Sequence, residues 1–179
     1  REVYSRHWTD ESHEHIAQPK LVYISDSTEI GTIYTKNELK EIYKACKEND
    51  MYLFIDGARL GYALASEDND LDLKTIAENC DVFYIGGTKC GAMFGEALVI
   101  LNNELKKDFR YVIKQKGGML AKGWLLGIQF DELLKDGLYF ELAAHADKMA
   151  YKIKNAALEA GYKLYSDSPT NQQLSLIHI

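Results

Sequence analysis

Residues 51–101 read MYLFIDGARLGYALASEDNDLDLKTIAENCDVFYIGGTKCGAMFGEALVIL. Two short apolar runs in this stretch, one ending at Asp56 and one at Gly86, decide the fold. Each is a continuous run of large apolar residues bounded by turn residues, the pattern of a strand buried on both faces of a parallel sheet. Asp56 and Lys89 therefore fall at, or just past, the carboxyl ends of two strands, the edge at which open α/β sheets bind ligands.

A carboxylate and an amine delivered to one edge suit a particular chemistry. An unprotonated lysine forms a Schiff base with an aldehyde, and an anionic aspartate keeps a pyridine nitrogen protonated, so that the ring draws electrons. The group such a pair would hold is pyridoxal 5'-phosphate. Spacing alone leaves a second reading open, in which the aspartate caps the turn after its strand and the lysine belongs to a glycine-rich loop.

Outward from this stretch, residues 21–25 (LVYIS) form another strand run after Pro19, followed by the polar loop SDSTEIGT. Thr35 and Glu38 have capping-box spacing, ahead of a helix that buries Leu39, Ile42, Tyr43 and Cys46. It leads into a strand over 51–55, parallel to the first. A short helix then starts at Arg59, with Leu60, Ala63 and Leu64 inward. Asp68, Asp70 and Asp72 alternate like the opening of a calcium loop. The sixth position, however, is Leu73 instead of glycine and the twelfth is Asn79 instead of glutamate, so calcium is rejected and Asp72 reads as an N-cap.

Leu73, Ile76, Ala77 and Cys80 mark the next helix, 82–85 the third strand, and 97–101 a fourth. The last connection is too short for a helical crossover, which predicts an antiparallel pairing. Beyond residue 102 the pattern turns helical, first through Leu105, Phe109, Val112 and Ile113, then over 119–135. A break at Gly137 precedes a long helix over 138–160, with Leu142, Ala146, Met149, Ile153 and Ala157 on its buried side. Gly161 ends it, and 162–166 alternates like a strand.

The 179 residues are 46% hydrophobic, ample for a core. A net charge of -6, with 21 Lys+Arg scattered among 27 Asp+Glu, argues against a nucleic-acid partner. No apolar run approaches the ~18 residues of a membrane span. Cys46, Cys80 and Cys90 show no paired spacing, which predicts neither a disulfide framework nor a zinc site and fits a reducing cytoplasm. His7, His13 and His15 lie close together without a recognised metal spacing and read as a solvated segment.

DGARLGYALAS followed by CDVFYIGGTKCGAMFGEALVI resembles the low-specificity L-threonine aldolase branch of the aromatic amino acid β-eliminating lyase family, over about residues 19–173. The resemblance implies a partial, doubly wound, mainly parallel α/β sheet of the aspartate-aminotransferase type (pyridoxal-phosphate fold type I). Long helices would lead from it to the start of a small C-terminal subdomain. The expected divisions are a connecting segment 1–18, part of the large cofactor domain 19–118, interdomain helices 119–160 and the beginning of the subdomain 161–173. The chain opens on Arg1 and both ends read as cut; residues 174–179, LSLIHI, resemble one frame of a sequencing-library adapter.

By the same resemblance Lys89 binds the cofactor aldehyde, Asp56 pairs with the ring nitrogen, Ala58 lies under the ring and Arg59 reaches the substrate carboxylate or the cofactor. Thr88 contacts the cofactor, with Thr28, Lys114, Lys116 and Lys122 as weaker candidates. The alternatives are packing for Ala58, an ion pair with Asp56 for Arg59, and solvation for the three lysines. The phosphate loop and the ring-stacking residue are expected upstream of Arg1, and a second carboxylate-binding arginine beyond Gln173. The implied reaction is cleavage of L-threonine or L-allo-threonine to glycine and acetaldehyde by a homodimer or homotetramer. The rival readings are a β-eliminating lyase on another amino acid and a non-catalytic doubly wound binding domain. Against the last stands the lack of a GxGxxG fingerprint.

Overall fold

The computed structural model describes residues 2–175. Its centre is a four-stranded sheet, β1 (Leu21–Ser25), β2 (Tyr52–Asp56), β3 (Val82–Gly86) and β4 (Glu96–Ile100), in sequence order across the sheet. The first three strands are parallel and β4 is antiparallel to β3, as the short connection requires. β1 and β2 pair in register from Leu21↔Tyr52 to Ser25↔Asp56, so their carboxyl ends are level.

Eight α-helices accompany the sheet among the described residues: α1 (Glu2–Thr9), α2 (Lys36–Glu48), α3 (Leu60–Ala65), α4 (Leu73–Glu78), α5 (Asn103–Lys106), α6 (Phe109–Gln115), α7 (Trp124–Leu134) and α8 (Leu138–Glu159). The local signals behave as their chemistry dictates. Thr35 Oγ1 accepts from the Glu38 amide while the Glu38 carboxylate accepts from the Thr35 amide, closing the capping box of α2. Asp72 caps α4 through the Thr75 amide. At the end of α8, Gly161 takes φ +85, and the Gly161 and Tyr162 amides return to the Leu158 and Ala157 carbonyls, a Schellman motif.

The core lies on one face of the sheet. Leu53, Ile55, Phe83 and Ile85 pack there against Leu39 and Cys46 of α2, Leu60 and Tyr62 of α3, Ile76 of α4 and Tyr139 and Ala143 of α8. The expectation of strands buried on both faces is corrected. β2 alternates buried and half-buried positions, and the other face carries Tyr23, Phe54, Tyr84 and Leu98, with Tyr23 56% exposed. Helices cover only the first face among the described residues, so period-2 alternation replaces continuous burial.

At the far edge of the sheet, Asp81 is the organising residue. Its buried carboxylate accepts from the Leu53 amide (2.8 Å), Asn102 Nδ2 (2.9 Å) and Lys47 Nζ (2.8 and 2.7 Å). Burial opposes the charge, but these donors outweigh it and hold the carboxyl below its usual range.

The segment 1–18 contains α1 and a 3-10 turn at His13–His15. Other expectations are corrected here. His7 packs against Trp8 and His13 as part of a ring cluster, and no metal-holding group of His, Cys, Asp or Glu occurs among the described residues. The helix expected through Leu105 and Phe109 is split at Asp108, which adopts φ 56. The 119–135 stretch becomes helical only at Trp124.

The buried side of α8 is Tyr139, Ala143, Asp147, Ala150 and Lys154, one residue round from the expected apolar stripe, whose Ile153 is 68% exposed. The stretch 162–166 forms one bridge, Leu164↔Ser175, and not a strand. Of the adapter-like hexapeptide, Leu174 and Ser175 take part in this pairing, and 176–179 lie outside the described residues.

Candidate active site

The level ends of β1 and β2, with β3 running two residues past them, form a rim, and Asp56 is the last residue of β2 on it. Its Oδ1 accepts from the Ala58 amide at 2.9 Å, and its Oδ2 accepts from the Tyr23 hydroxyl. The Tyr84 hydroxyl also bears on this carboxylate. Burial raises the Asp56 pKa, but the two tyrosines, the Ala58 amide and the charge of Lys89 together reverse that and hold it below the ordinary value. Asp56 is thus an anion held ready at the sheet edge.

The chain leaves β2 and β3 through a close crossing. The Gly86 amide donates to the Gly57 carbonyl at 2.8 Å. A Cβ on Gly57 would stand 1.8 Å from the Tyr84 carbonyl oxygen, and one on Gly86 would stand 2.5 Å from the Gly57 and Ala58 oxygens. Only residues without side chains allow this approach, and the approach brings the Lys89 loop beside Asp56.

Within that loop the Cys90 and Ala92 amides both return to the Gly87 carbonyl at 2.9 Å, and Gly91 and Gly95 take positive φ. The Lys89 side chain is exposed while its carbonyl oxygen accepts from the buried Tyr62 hydroxyl. Gln129 of α7 clips the far side, accepting from the Met93 amide (2.7 Å) and donating to the Phe94 carbonyl (3.2 Å).

The structure thus brings Asp56, Ala58, Arg59, Thr88 and Lys89 to one rim. Ala58 and Arg59 are half-buried and Thr88 is exposed. Arg59 is the N-cap residue of α3, and among the described residues no ion pair joins it to Asp56. The Thr28 hydroxyl bonds to Thr32, through its Oγ1 (2.7 Å) and its amide (3.1 Å). Lys114 lies on α6, Lys116 caps its end and Lys122 precedes α7, none of them on the rim strands.

Sequence reading missed Tyr23, Tyr84, Tyr62 and Gln129. For the first two a signal existed. Tyr23 stands two residues before Ser25, the partner of Asp56, and Tyr84 two before the end of β3, so strand parity puts both on the Asp56 face.

A sheet edge presenting an ionised acid and an accessible amine, with glycines where a flat ligand would need room, defines a class of site. The beta-eliminating lyase family model matches residues 5–178, and the chain belongs to that family. Low specificity L-threonine aldolase from Pseudomonas sp. (strain NCIMB 10558) is 38% identical over 136 residues, 76% of this chain and 39% of that protein. The structure of threonine aldolase from Leishmania major matches with TM-score 0.89 and 56% identity, over 90% of this chain and 47% of that one.

Cystalysin from Treponema denticola, whose structure contains a pyridoxal 5'-phosphate cofactor, shares the fold at 16% identity, with TM-score 0.64 over 86% of this chain and 41% of that one. The architecture is therefore that of pyridoxal-phosphate fold type I. The chain spans about two fifths of the length of the curated relatives it matches. Among the described residues no helix is long and apolar enough to cross a membrane.

Proposed function

We propose that the complete protein is a pyridoxal-phosphate-dependent carbon-carbon lyase that cleaves L-threonine or L-allo-threonine to glycine and acetaldehyde. The observation that carries this reading is the pairing of Asp56, held ionised by its hydrogen bonds, with the exposed Lys89 on the same rim. The donor set fits the cofactor: an anion for the ring nitrogen, an amine for the aldehyde, and glycine crossings that leave the rim open to a flat group. When bound, the cofactor supplies a ring that accepts the electron pair released as the Cα–Cβ bond opens.

The chain's own residues then divide the work. Asp56 keeps a proton on the ring nitrogen, since its charge would be costly to leave unpaired beside a neutral ring. Lys89 would hold the cofactor aldehyde through its amine, and that amine would also carry protons to and from the substrate. The Arg59 guanidinium orients the substrate carboxylate through its planar fork, with no ion pair to Asp56 competing for it. Ala58 would leave room for the flat ring, and Thr88 would offer its hydroxyl to the cofactor. The complete protein is proposed to work as a homodimer or homotetramer in the cytoplasm.

The name of the family favours a second reading, β-elimination from another amino acid on the same site. Product analysis separates the two. Glycine and acetaldehyde in equal amounts support the aldolase, while pyruvate and ammonia support the eliminase. Borohydride reduction of the complete protein with pyridoxal phosphate, followed by peptide mapping, should label Lys89; a label elsewhere defeats both.

A further inference from the structure

We propose that Tyr62 is a positioning residue for Lys89, its buried hydroxyl pinning the Lys89 carbonyl to the helix that begins just after Asp56. The inference rests on the reading of Lys89 as the cofactor amine. The problem it solves is local. Lys89 sits in a loop, 87–95, with glycines at 87, 91 and 95, a backbone with more freedom to lose than any other. An amine on such a loop reaches a fixed point only if the backbone that carries it is tied.

Two tethers hold the loop's two ends, the Gly87 amide donating to the Glu96 carboxylate at the start of β4 (2.6 Å) and Gln129 of α7 holding the Met93 amide. Tyr62 holds Lys89 itself. It is 7% exposed on α3, and it donates to the Lys89 carbonyl oxygen. Because α3 starts at Leu60, directly after the 56–59 turn, this bond fixes the lysine to the same piece of chain that carries the acid.

Tyr62 is in turn held from behind. Tyr139 of α8 is fully buried, and its hydroxyl accepts from the Gly61 amide at 3.1 Å. A Cβ on Gly61 would stand 2.9 Å from the Tyr139 ring, so α3 and α8 meet at a fixed separation. The buried Cys90 thiol lies against the hydroxyls of both Tyr62 and Tyr139. The pin is therefore a packed stack from α8 through α3 to the lysine loop.

Tyr62→Phe keeps the ring and removes only the donor. In the complete protein without cofactor, hydrogen exchange across 87–95 should quicken roughly three- to tenfold, the worth of one hydrogen bond, with β2 and β3 unchanged. Pyridoxal phosphate should bind more weakly by a similar factor. Leu64→Ala, on the same helix, is the comparison: it should lower the melting temperature without selectively quickening exchange in 87–95.

Wild-type exchange in Tyr62→Phe, or equal quickening in Leu64→Ala, overturns the proposal. In the unmutated protein a pyridoxyl label on a residue other than Lys89 overturns the cofactor assignment instead, and the exchange comparison then still decides whether the hydroxyl holds the loop.

Discussion

The Ser168 hydroxyl donates to the Gly31 carbonyl oxygen at 3.0 Å, joining the loop that leaves β1 to a segment 137 positions further along the chain. The contact is part of a clasp. Ser166 Oγ donates to the Ile30 carbonyl (2.6 Å) and Gln172 Nε2 to the Glu29 carbonyl (2.7 Å), while Lys154 of α8 grips the same segment through the Ser168 carbonyl (3.0 Å). Ser168 and Thr170 are fully buried. The rim loop is thus fastened to α8 through residues that neither element contains.

Gly31→Ala tests the clasp. Gly31 has φ +83, and an added Cβ would stand 2.2 Å from Ser168 Oγ and 2.9 Å from the Gln172 carbonyl. Left-handed strain and overpacking together should cost roughly 2–4 kcal/mol. Ser168→Ala removes the bond to the Gly31 carbonyl and the two that its hydroxyl makes with the amide and Oγ1 of Thr170, but Thr170 Oγ1 remains 3.4 Å from the same carbonyl, so roughly 1–2 kcal/mol is expected. Urea denaturation should show the larger midpoint shift for Gly31→Ala with the slope unchanged in both.

Asp81→Ala should destabilise by roughly 1–3 kcal/mol, because it strands the buried Leu53 amide, whereas Lys47, 40% exposed, regains water when its partner is lost. Its folded-state pKa is depressed, so its stabilisation is present above the ordinary value of 3.8 and lost as pH falls through the folded value. The penalty of the variant measured at neutral pH should therefore shrink in acid. A penalty independent of pH would assign the effect to packing alone.

Asp26 and Asp147 have the opposite sign. Both are buried. Asp26 Oδ1 and both Asp147 oxygens have no hydrogen-bond partner among the described residues, although the Tyr34 amide donates to Asp26 and the Asn171 amide faces Asp147. Burial pushes each pKa up to about 7. A raised value means stabilisation that is complete below 3.8 and lost as pH rises through about 7. Asp26→Asn and Asp147→Asn should accordingly raise the melting temperature at pH 8 far more than at pH 5. Equal shifts at the two pH values would mean that neither carboxyl charges late.

What could be foreseen divides along a physical line. The strands, the capping box of Thr35 and Glu38, the Asp72 cap and the Gly161 stop are set by neighbours within a few residues, and the sequence carries them in full. So is the rim position of Asp56 and Lys89, since each follows its own strand. The burial of α8 is different. Periodicity gives the stripe of Leu142 and Ile153, yet the contacts with Gly61 and with 166–173 turn Tyr139, Asp147 and Lys154 inward. Side-chain pairings such as Tyr23 with Asp56 depend on register, which only the assembled sheet fixes.

Asp56 carries the last prediction. If its charge keeps the ring nitrogen protonated, Asp56→Ala removes the electron sink and leaves binding through Lys89 in place. In the complete protein, at saturating pyridoxal phosphate, kcat for acetaldehyde release should fall by much more than tenfold, that is, by more than ~1.4 kcal/mol of transition-state stabilisation. Tyr23→Phe makes the graded comparison. It removes one of the donors that keep Asp56 ionised, so the Asp56 pKa rises toward its ordinary value, while the Tyr84 hydroxyl and the Ala58 amide remain. Its loss should be small near neutral pH and grow as pH falls. Near-normal turnover in Asp56→Ala would mean that the acid on this rim caps a turn and does nothing to the ring.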